Sequence, residues 1–349
     1  MEKVFSATLK GGITSDVFFS LSIEGLKKKL GEYGRSVLYV LDTNTEGILS
    51  LPKENSIVLP PGESEKRWES IDLILRRAVE LSLARDSVFI AIGGGVICDM
   101  TAFAASIYMR GSRVVLVPTT LLSMVDASVG GKTAIDYMGL KNLVGTFYPA
   151  EDILICPETL NSLSEREYIS GLGEVAKHAF LSKDEALYAF MVENREGILD
   201  RKLDAMLEMV RLSLLVKKEF IERDPEEKKG IRSFLNLGHT FSHALETISD
   251  YSISHGEGVA WGMKRAFDAS LSLGLIDKGY YNRAMDLMEA YPFNVSHKVK
   301  RDELDLYIKT VKSDKKKSAG TVRFVLLKGQ GEPLLRELED SLVEAIVTR

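Results

Sequence analysis

The sequence predicts an α/β fold, in which an N-terminal, Rossmann-like parallel-sheet domain is followed by a mainly α-helical domain. The first half alternates short apolar segments with amphipathic ones, and strands that alternate with helices form parallel sheets. From about residue 164 onward, helical periodicity dominates. We therefore expect two domains, 1–163 and 164–349, because 349 residues are enough for two cores of ordinary size.

Five apolar segments of the first half are typical of buried strands: 35–42, 56–59, 87–92, 114–117 and 152–156. Helical periodicity over 64–83 predicts a helix between the second and third of them, with Ser64 as its N-cap. Right-handed crossovers between such strands place ligands at the carboxyl ends of the strands.

Helices are predicted in the second half over 165–182, 203–222, 236–249, 256–273, 280–290 and 302–311. A strand over 321–327, paired with the stretch before it, is expected to close this domain.

Composition limits the classes of function. Hydrophobic residues make up 45% and charged residues 27% of the chain, which is normal for a globular protein, and the net charge of −5 gives no reason to expect nucleic-acid binding. The two cysteines, Cys98 and Cys156, fit a reducing cytoplasm. We find no signal-peptide pattern and no apolar run of membrane-spanning length, so we expect a cytoplasmic protein that is not bound to a membrane.

Polar residues are set among small ones over 110–148. Asp126, Lys132, Lys141 and Asn142 stand close to the Gly130-Gly131-Lys132-Thr133 loop. Glycine lets backbone N–H groups approach an anion and lysine supplies charge, so the stretch predicts a phosphate or anion site. It is not a Walker A loop, because Asp126 stands where that motif needs glycine.

A second glycine cluster follows the strand predicted over 87–92. Gly93, Gly94 and Gly95 lead into an apolar helix, and a helix N-terminus next to glycines suits a pyrophosphate. The spacing differs from the Rossmann G-x-G-x-x-G pattern. The cluster nevertheless favours dinucleotide binding over an ordinary tight turn, which explains one glycine and hardly three.

Three of the five histidines fall within seventeen residues. His239 and His243 lie one helical turn apart, His255 follows, and Glu174 is a candidate fourth member. Two or three imidazoles with a carboxylate suit Zn²⁺ with an open position, and clustered core histidines are the alternative. The spacing does not decide whether His239 or His243 is the ligand.

Basic residues accompany these features: Arg110, Lys132, Lys141, Lys177, Lys217 or Lys218, Arg232, and the lysine run 315–317. Any one of them alone is more often a solvated surface charge. Lys177 follows Glu174 by one turn and Arg232 precedes the histidine helix, so we expect both to face the same cleft as the metal.

Jointly, these motifs resemble the 3-dehydroquinate synthase family. The resemblance runs from P-G-E-S-E-K at 61–66 to S-D-K-K at 313–316, through G-G-G-V-I-C-D, V-P-T-T-L-L-S-M-V-D-A-S-V-G-G-K-T, K-N-L-V-G-T-F-Y, N-L-G-H-T-F-S-H-A-L-E and H-G-E-G-V-A-W-G-M. It implies a Zn²⁺, with Co²⁺ as the alternative, held by Glu174, His239 and His255, which makes His243 a substrate residue. It implies NAD bound by Asp42, Glu63, Lys66, Gly94, Gly95, Val96, Asp99, Thr119, Thr120, Lys132, Lys141, Thr159 and Ser162.

The implied reaction converts 3-deoxy-D-arabino-heptulosonate 7-phosphate to 3-dehydroquinate and phosphate in the shikimate pathway. It proceeds by transient NAD-dependent oxidation at C5, β-elimination of phosphate, reduction, ring opening and intramolecular aldol closure. The resemblance implies catalytic roles for Arg110, Asp126, Lys132, Asn142, Lys177, Lys217, Arg232, Asn236, His243 and Lys316. It also implies a homodimer and a cleft between the domains that excludes water.

Several residues depart from the family pattern, and other functions stay open. Cys98 and Ser242 replace glycine, His178 replaces tyrosine, and Trp261 replaces isoleucine. The alternatives are an amino-dehydroquinate synthase, a 2-deoxy-scyllo-inosose synthase, a metal-dependent polyol dehydrogenase, and an inactive nucleotide-binding scaffold. A substrate without a carboxylate would not need Lys217 and Arg232, and a polyol dehydrogenase would not need the phosphate-binding set.

Overall fold

A computed structural model describes residues 1–250, 252–313 and 321–349. The chain divides into two compact units. One consists of Met1–Ser164 with Ile221–Glu226, and the other of Glu165–Phe220 with Glu227–Arg349. The return of Ile221–Glu226 to the first unit was not predicted. Within that unit the Thr8 N–H donates to Glu222 Oε1 at 3.2 Å.

The first unit contains nine strands: Glu2–Thr8 (β1), Thr14–Phe19 (β2), Val37–Asp42 (β3), Ser56–Leu59 (β4), Val88–Gly93 (β5), Arg113–Pro118 (β6), Lys132–Tyr137 (β7), Leu140–Phe147 (β8) and Asp152–Ile155 (β9). Its α-helices are Ile23–Gly31 (α1), Trp68–Glu80 (α2) and Gly95–Ile107 (α3). Seven strands form one sheet in the order β1-β2-β9-β6-β5-β3-β4. Only β1 runs antiparallel to its neighbour, and β7 and β8 form a separate hairpin.

The central strands are buried along their whole length. All residues of β3 and β5 are buried, and both strands are apolar except for Asp42 at the end of β3, as expected of a parallel sheet covered on both faces. Leu26 and Leu30 of α1 pack into the same core. All five predicted strands are confirmed to within two residues at either end.

The helix predicted over 64–83 forms over the shorter range of α2, and Ser64 does not cap it. Gly62 has a φ of 106°, which turns the chain into a short 3₁₀ turn at Glu63–Glu65 before α2 begins after Arg67. No side chain caps α2. The N-cap prediction was therefore wrong, because the glycine places Ser64 inside a turn.

The second unit is mainly helical: Glu165–Leu181 (α4), Ala186–Glu193 (α5), Arg195–Leu199 (α6), Leu203–Arg223 (α7, whose last three residues belong to the first unit), His239–Ile248 (α8), His255–Ser272 (α9), Lys278–Ala290 (α10), Leu304–Ser313 (α11) and Asp340–Val347 (α12). Helix α9 packs against α4, α8, α10 and α12. All six predicted helices are present with small shifts at their ends, and α5, α6 and α12 were missed.

The predicted strand over 321–327 is Phe324–Leu327 (β10), paired antiparallel with Pro333–Arg336 (β11). Its observed partner follows it in the chain. The partner strand that we predicted, just before residue 321, lies largely outside the described residues. Lys316 also lies outside them. Within the described residues, no helix has both the length and the hydropathy that a membrane crossing requires.

Candidate active site and metal centre

Three helices of the second unit carry the predicted metal ligands. Glu174 lies in the middle of α4, whereas His239 and His255 are the first residues of α8 and α9. Gly238, at a φ of 83°, starts α8. A capping box starts α9, in which the Ser254 N–H donates to Glu257 Oε2 at 3.1 Å. The local sequence therefore fixes both histidines at helix starts.

Glycines bring these helices close together. A Cβ on Gly173 of α4 would overlap the Gly256 carbonyl oxygen, and one on Gly256 would overlap the Ser170 carbonyl oxygen. Between α8 and α9, a Cβ on Gly238 would lie 2.6 Å from the Val259 oxygen. Backbone therefore packs directly on backbone at the residues adjacent to all three ligands.

This packing joins the three side chains into one cluster. Glu174 Oε1 lies 3.4 Å from His239 Nε2 and 3.3 Å from His255 Nε2. The three ligand atoms lie within 4.8 Å of one another, and Glu174 is fully buried. Two imidazole nitrogens and a carboxylate are a donor set that fits a catalytic divalent metal with an open position.

The charges of the cluster also suit a cation. Burial lowers the pKa of His239 to about 3, so this imidazole is neutral, the form in which it ligates metals. Burial also opposes protonation of His255, but hydrogen bonds to Glu174 and Glu246 outweigh it and raise its pKa to about 10. A positive charge is thus stabilised between two buried carboxylates, and a bound dication supplies such a charge.

Two other predicted residues, Lys177 and His243, lie next to this cluster. The Lys177 ammonium forms an ion pair with Glu174 Oε2 and is itself buried. The ring of the exposed His243 lies 5.5 Å from that of His239 between centroids. Lys217 and Arg232 are buried in the same unit, and Asn236 is exposed at the end of the 3₁₀ turn before α8.

The glycine cluster of the first unit lies where β5 leads into α3. Gly94 caps α3 and Gly95 begins it. A Cβ on Gly94 would lie 3.2 Å from Thr120 Cγ2, and the Thr119 N–H donates to the Gly93 oxygen at 2.9 Å. Asp42, Gly93 and Pro118 end strands β3, β5 and β6. Five of the predicted cofactor residues therefore lie at the carboxyl ends of the parallel strands: Asp42, Gly94, Gly95, Thr119 and Thr120.

Lys66, Asp99 and Asn142 meet in the first unit. The buried Lys66 Nζ lies 2.5 Å from Asp99 Oδ2 and donates to Asn142 Oδ1. Burial opposes the charged lysine, but Asp99 and Glu63 outweigh it and raise the Lys66 pKa. The family resemblance implies that Lys66 and Asp99 bind the cofactor and that Asn142 binds phosphate, so one predicted phosphate residue contacts the predicted cofactor set.

The remaining predicted residues of the first unit lie on turns and strand ends. Arg110, Lys132 and Lys141 are exposed, whereas Glu63, Val96, Asp126, Thr159 and Ser162 occupy short turns or the first turn of α3. Thr159 is buried, and its hydroxyl donates to the Cys156 oxygen at 2.8 Å. Asp42 Oδ1 already accepts the Thr45 N–H at 3.0 Å.

Comparison with known proteins decides the family. Residues 56–170 match the family model for the N-terminal part of 3-dehydroquinate synthase, and residues 171–317 match that for the C-terminal part. The chain belongs to the 3-dehydroquinate synthase family. A 3-dehydroquinate synthase of Dictyoglomus thermophilum is 39% identical over 294 residues, covering 84% of this chain and 81% of the relative. That of Acidithiobacillus ferrooxidans is 39% identical over 299 residues, covering 84% and 80%.

Solved structures of other cyclases share the fold. A 2-epi-5-epi-valiolone synthase of Streptomyces hygroscopicus subsp. jinggangensis, with NAD⁺ and Zn²⁺ bound, has a TM-score of 0.83 at 24% identity and covers 96% of both chains. A 2-deoxy-scyllo-inosose synthase complexed with carbaglucose-6-phosphate, NAD⁺ and Co²⁺ has a TM-score of 0.85 at 20% identity and covers 98% of both. At these identities the likeness establishes the fold.

The predicted family, its enzyme class of phosphorus–oxygen lyase and its overall reaction in the shikimate pathway are thereby confirmed. The individual site residues stay predictions. Sequence reasoning missed Glu246, whose Oε1 lies 3.0 Å from His255 Nδ1. Its position three residues after His243 on one helix was the available signal.

Proposed function

We propose that this member of the family converts 3-deoxy-D-arabino-heptulosonate 7-phosphate to 3-dehydroquinate and phosphate, with NAD and Zn²⁺ as cofactors. The observation that carries the proposal is the cluster of Glu174, His239 and His255. It occurs in a chain whose relatives at 39% identity are 3-dehydroquinate synthases. NAD⁺ bound with Zn²⁺ or Co²⁺ in the cyclases of the same fold supports both cofactors. A homodimer and a cytoplasmic location stay predictions.

Glu174, His239 and His255 would hold the metal. When bound, it supplies a Lewis acid that lowers the pKa of a substrate hydroxyl. Lys177, held against Glu174 by its ion pair, is positioned to donate a hydrogen bond to a substrate hydroxyl. Asp126 and Asn236 serve as further hydroxyl contacts.

The first unit would bind NAD. The backbone of Gly94, Gly95 and Val96 opens α3 and suits the pyrophosphate, because the N–H groups of a first helical turn have no partner within the helix. The other members of the set are Asp42, Glu63, Lys66, Asp99, Thr119, Thr120, Lys132, Lys141, Thr159 and Ser162. When bound, NAD supplies an oxidation and a matching reduction of one substrate carbon, so none is consumed.

Basic side chains divide between the two anionic groups of the substrate. We assign the phosphate to Arg110, Lys132, Asn142, His243 and Lys316. We assign the carboxylate to Lys217 and Arg232, since the fork of guanidinium donors matches a carboxylate. The departing phosphate serves as its own base at C6, which removes the need for a protein general base.

A phosphate-release assay tests the function. The purified enzyme, with catalytic NAD⁺ and Zn²⁺, receives the heptulosonate phosphate while phosphate and NADH absorbance are followed together. Many phosphates per NAD⁺ with no accumulating NADH are expected. Stoichiometric NADH without phosphate release would contradict the cyclase function. A substrate analogue without the carboxylate is a further control, which this enzyme should reject because Lys217 and Arg232 would have no anionic partner.

A further inference from the structure

His255 uses both of its ring nitrogens. Its Nε2 lies 3.3 Å from Glu174 Oε1, and its Nδ1 lies 3.0 Å from Glu246 Oε1. A carboxylate accepts hydrogen bonds and cannot donate one when ionised, so Nδ1 carries the proton. Metal binding displaces the other ring proton, so the lone pair becomes available on Nε2, on the side of Glu174. A carboxylate in this place sets the tautomer and the orientation of a ligand imidazole.

Glu246 is itself held in place. Its side chain is buried, and the Ser242 hydroxyl donates to the same Oε1 at 2.9 Å. Gly258 of α9 faces this pair. A Cβ there would lie 2.5 Å from Ser242 Oγ and 3.2 Å from Glu246 Oε1. The absence of a side chain at Gly258 thus leaves space between α8 and α9 for the side chains of Ser242 and Glu246.

This arrangement discriminates between the two candidate metal clusters that contain His255. His243, Glu246 and His255 also place ligand atoms within 4.8 Å of one another. The ligand atom of His255 closest to Glu246 is Nδ1, which the hydrogen bond already uses. His239 behaves like His255, because its Nδ1 lies 3.3 Å from the Leu237 oxygen and its Nε2 lies on the side of Glu174.

We infer that Glu246, held by Ser242, is a positioning residue that fixes His255 with Nε2 as its metal-binding atom. This inference rests on the proposed metal function of Glu174, His239 and His255. The second cluster, of His243, Glu246 and His255, should therefore not bind a metal, because the Nδ1 of His255 is engaged by Glu246. Ser242 adds a second hydrogen bond at an oxygen that already receives one.

The test measures metal affinity by chelator competition and the visible absorption spectrum of the Co²⁺-loaded full-length enzyme. Glu246→Gln preserves shape but removes the charge, and Glu246→Ala removes the acceptor. We expect about tenfold weaker metal binding for the first and up to about 100-fold for the second, both with an altered Co²⁺ spectrum. Ser242→Ala should give a smaller loss in the same direction.

Two controls separate the possible failures. Ser270→Ala removes another buried helical serine, whose hydroxyl donates to the Ala266 oxygen at 2.8 Å, and should leave the affinity and the spectrum unchanged. Glu174→Gln should abolish tight binding. If Glu174→Gln binds metal normally, the proposed metal site is wrong. If Glu174→Gln loses metal while Glu246→Gln keeps the wild-type affinity and spectrum, the positioning role is overturned and the metal site stands.

Discussion

Gly173 packs so closely on the backbone of Gly256 that it has no space for a Cβ, and Gly256 is blocked in the same way by the Ser170 carbonyl oxygen. Each adjoins a predicted metal ligand in the chain, since Glu174 follows Gly173 and His255 precedes Gly256. The contact between α4 and α9 therefore sets the separation of a carboxylate and an imidazole. A side chain at either glycine would push the two helices apart and so move the ligand that adjoins it.

Gly173→Ala should destabilise the protein by about 1–3 kcal/mol and weaken its metal binding, because the added methyl overlaps backbone that cannot rotate away. Chemical denaturation and metal titration measure the two effects. Gly31→Ala is the matched control, because Gly31 ends α1 with no atom within 4 Å of an added Cβ. That change should be neutral or slightly stabilising. Equal behaviour of the two variants would refute the role of the close contact.

His239→Ala should lose the metal, whereas His243→Ala should keep it and mainly weaken substrate binding. The reason is that His239 is buried against Glu174, while His243 is exposed on the same helix. Elemental analysis of both purified variants after dialysis measures the bound metal. Equal loss from both would show that the ligands were assigned to the wrong helix face.

Arg110→Asn should slow phosphate release about tenfold or more by removing a charge-assisted contact, and should leave the affinity for NAD⁺ nearly unchanged. Asparagine is the suitable replacement because Arg110 has a φ of 66°, which asparagine tolerates. Steady-state phosphate release and calorimetric NAD⁺ titration provide the readouts. The exposed Arg85, changed to asparagine, is the control. A matching loss in both variants would argue against a phosphate contact at Arg110.

Asn142→Ala should be less stable than Asn142→Gly by about 1 kcal/mol. Both variants lose the oxygen that accepts from Lys66, so their difference isolates the backbone. Asn142 has a φ of 53°, where glycine is free and alanine is strained. Urea denaturation of the two variants measures the difference, and a more stable alanine variant would contradict the strained geometry.

The sequence predicted five of the seven strands of the large sheet, but not β1 and β2, and it predicted a histidine cluster as the metal site, for a shared reason. Continuous apolar runs such as Val88–Gly93 identify a buried parallel strand without any partner. His239 and His255 belong to one short stretch whose residue types limit their chemistry. These signals depend on residues that are close in sequence, so a single sequence is enough to detect them.

The missed features depend on partners that are distant in sequence. Gly173 is an ordinary helical residue until Gly256 packs on it. The β7–β8 hairpin turns at Met138 and Gly139, which have φ values of 52° and 78°. Methionine is an unusual residue for such a turn, which normally carries asparagine or aspartate before glycine, so no turn signal was available.

Chain order and spatial order differ at Ile221–Glu226, which joins the first unit although 56 residues of the second unit, Glu165–Phe220, come before it. Domains generally fold as units while the chain emerges during synthesis. The first unit is complete only once residue 226 has been made, and its Thr8–Glu222 hydrogen bond needs α4, α5, α6 and most of α7 to have been synthesised first. A fragment ending at Ser164 would therefore be an unfinished unit.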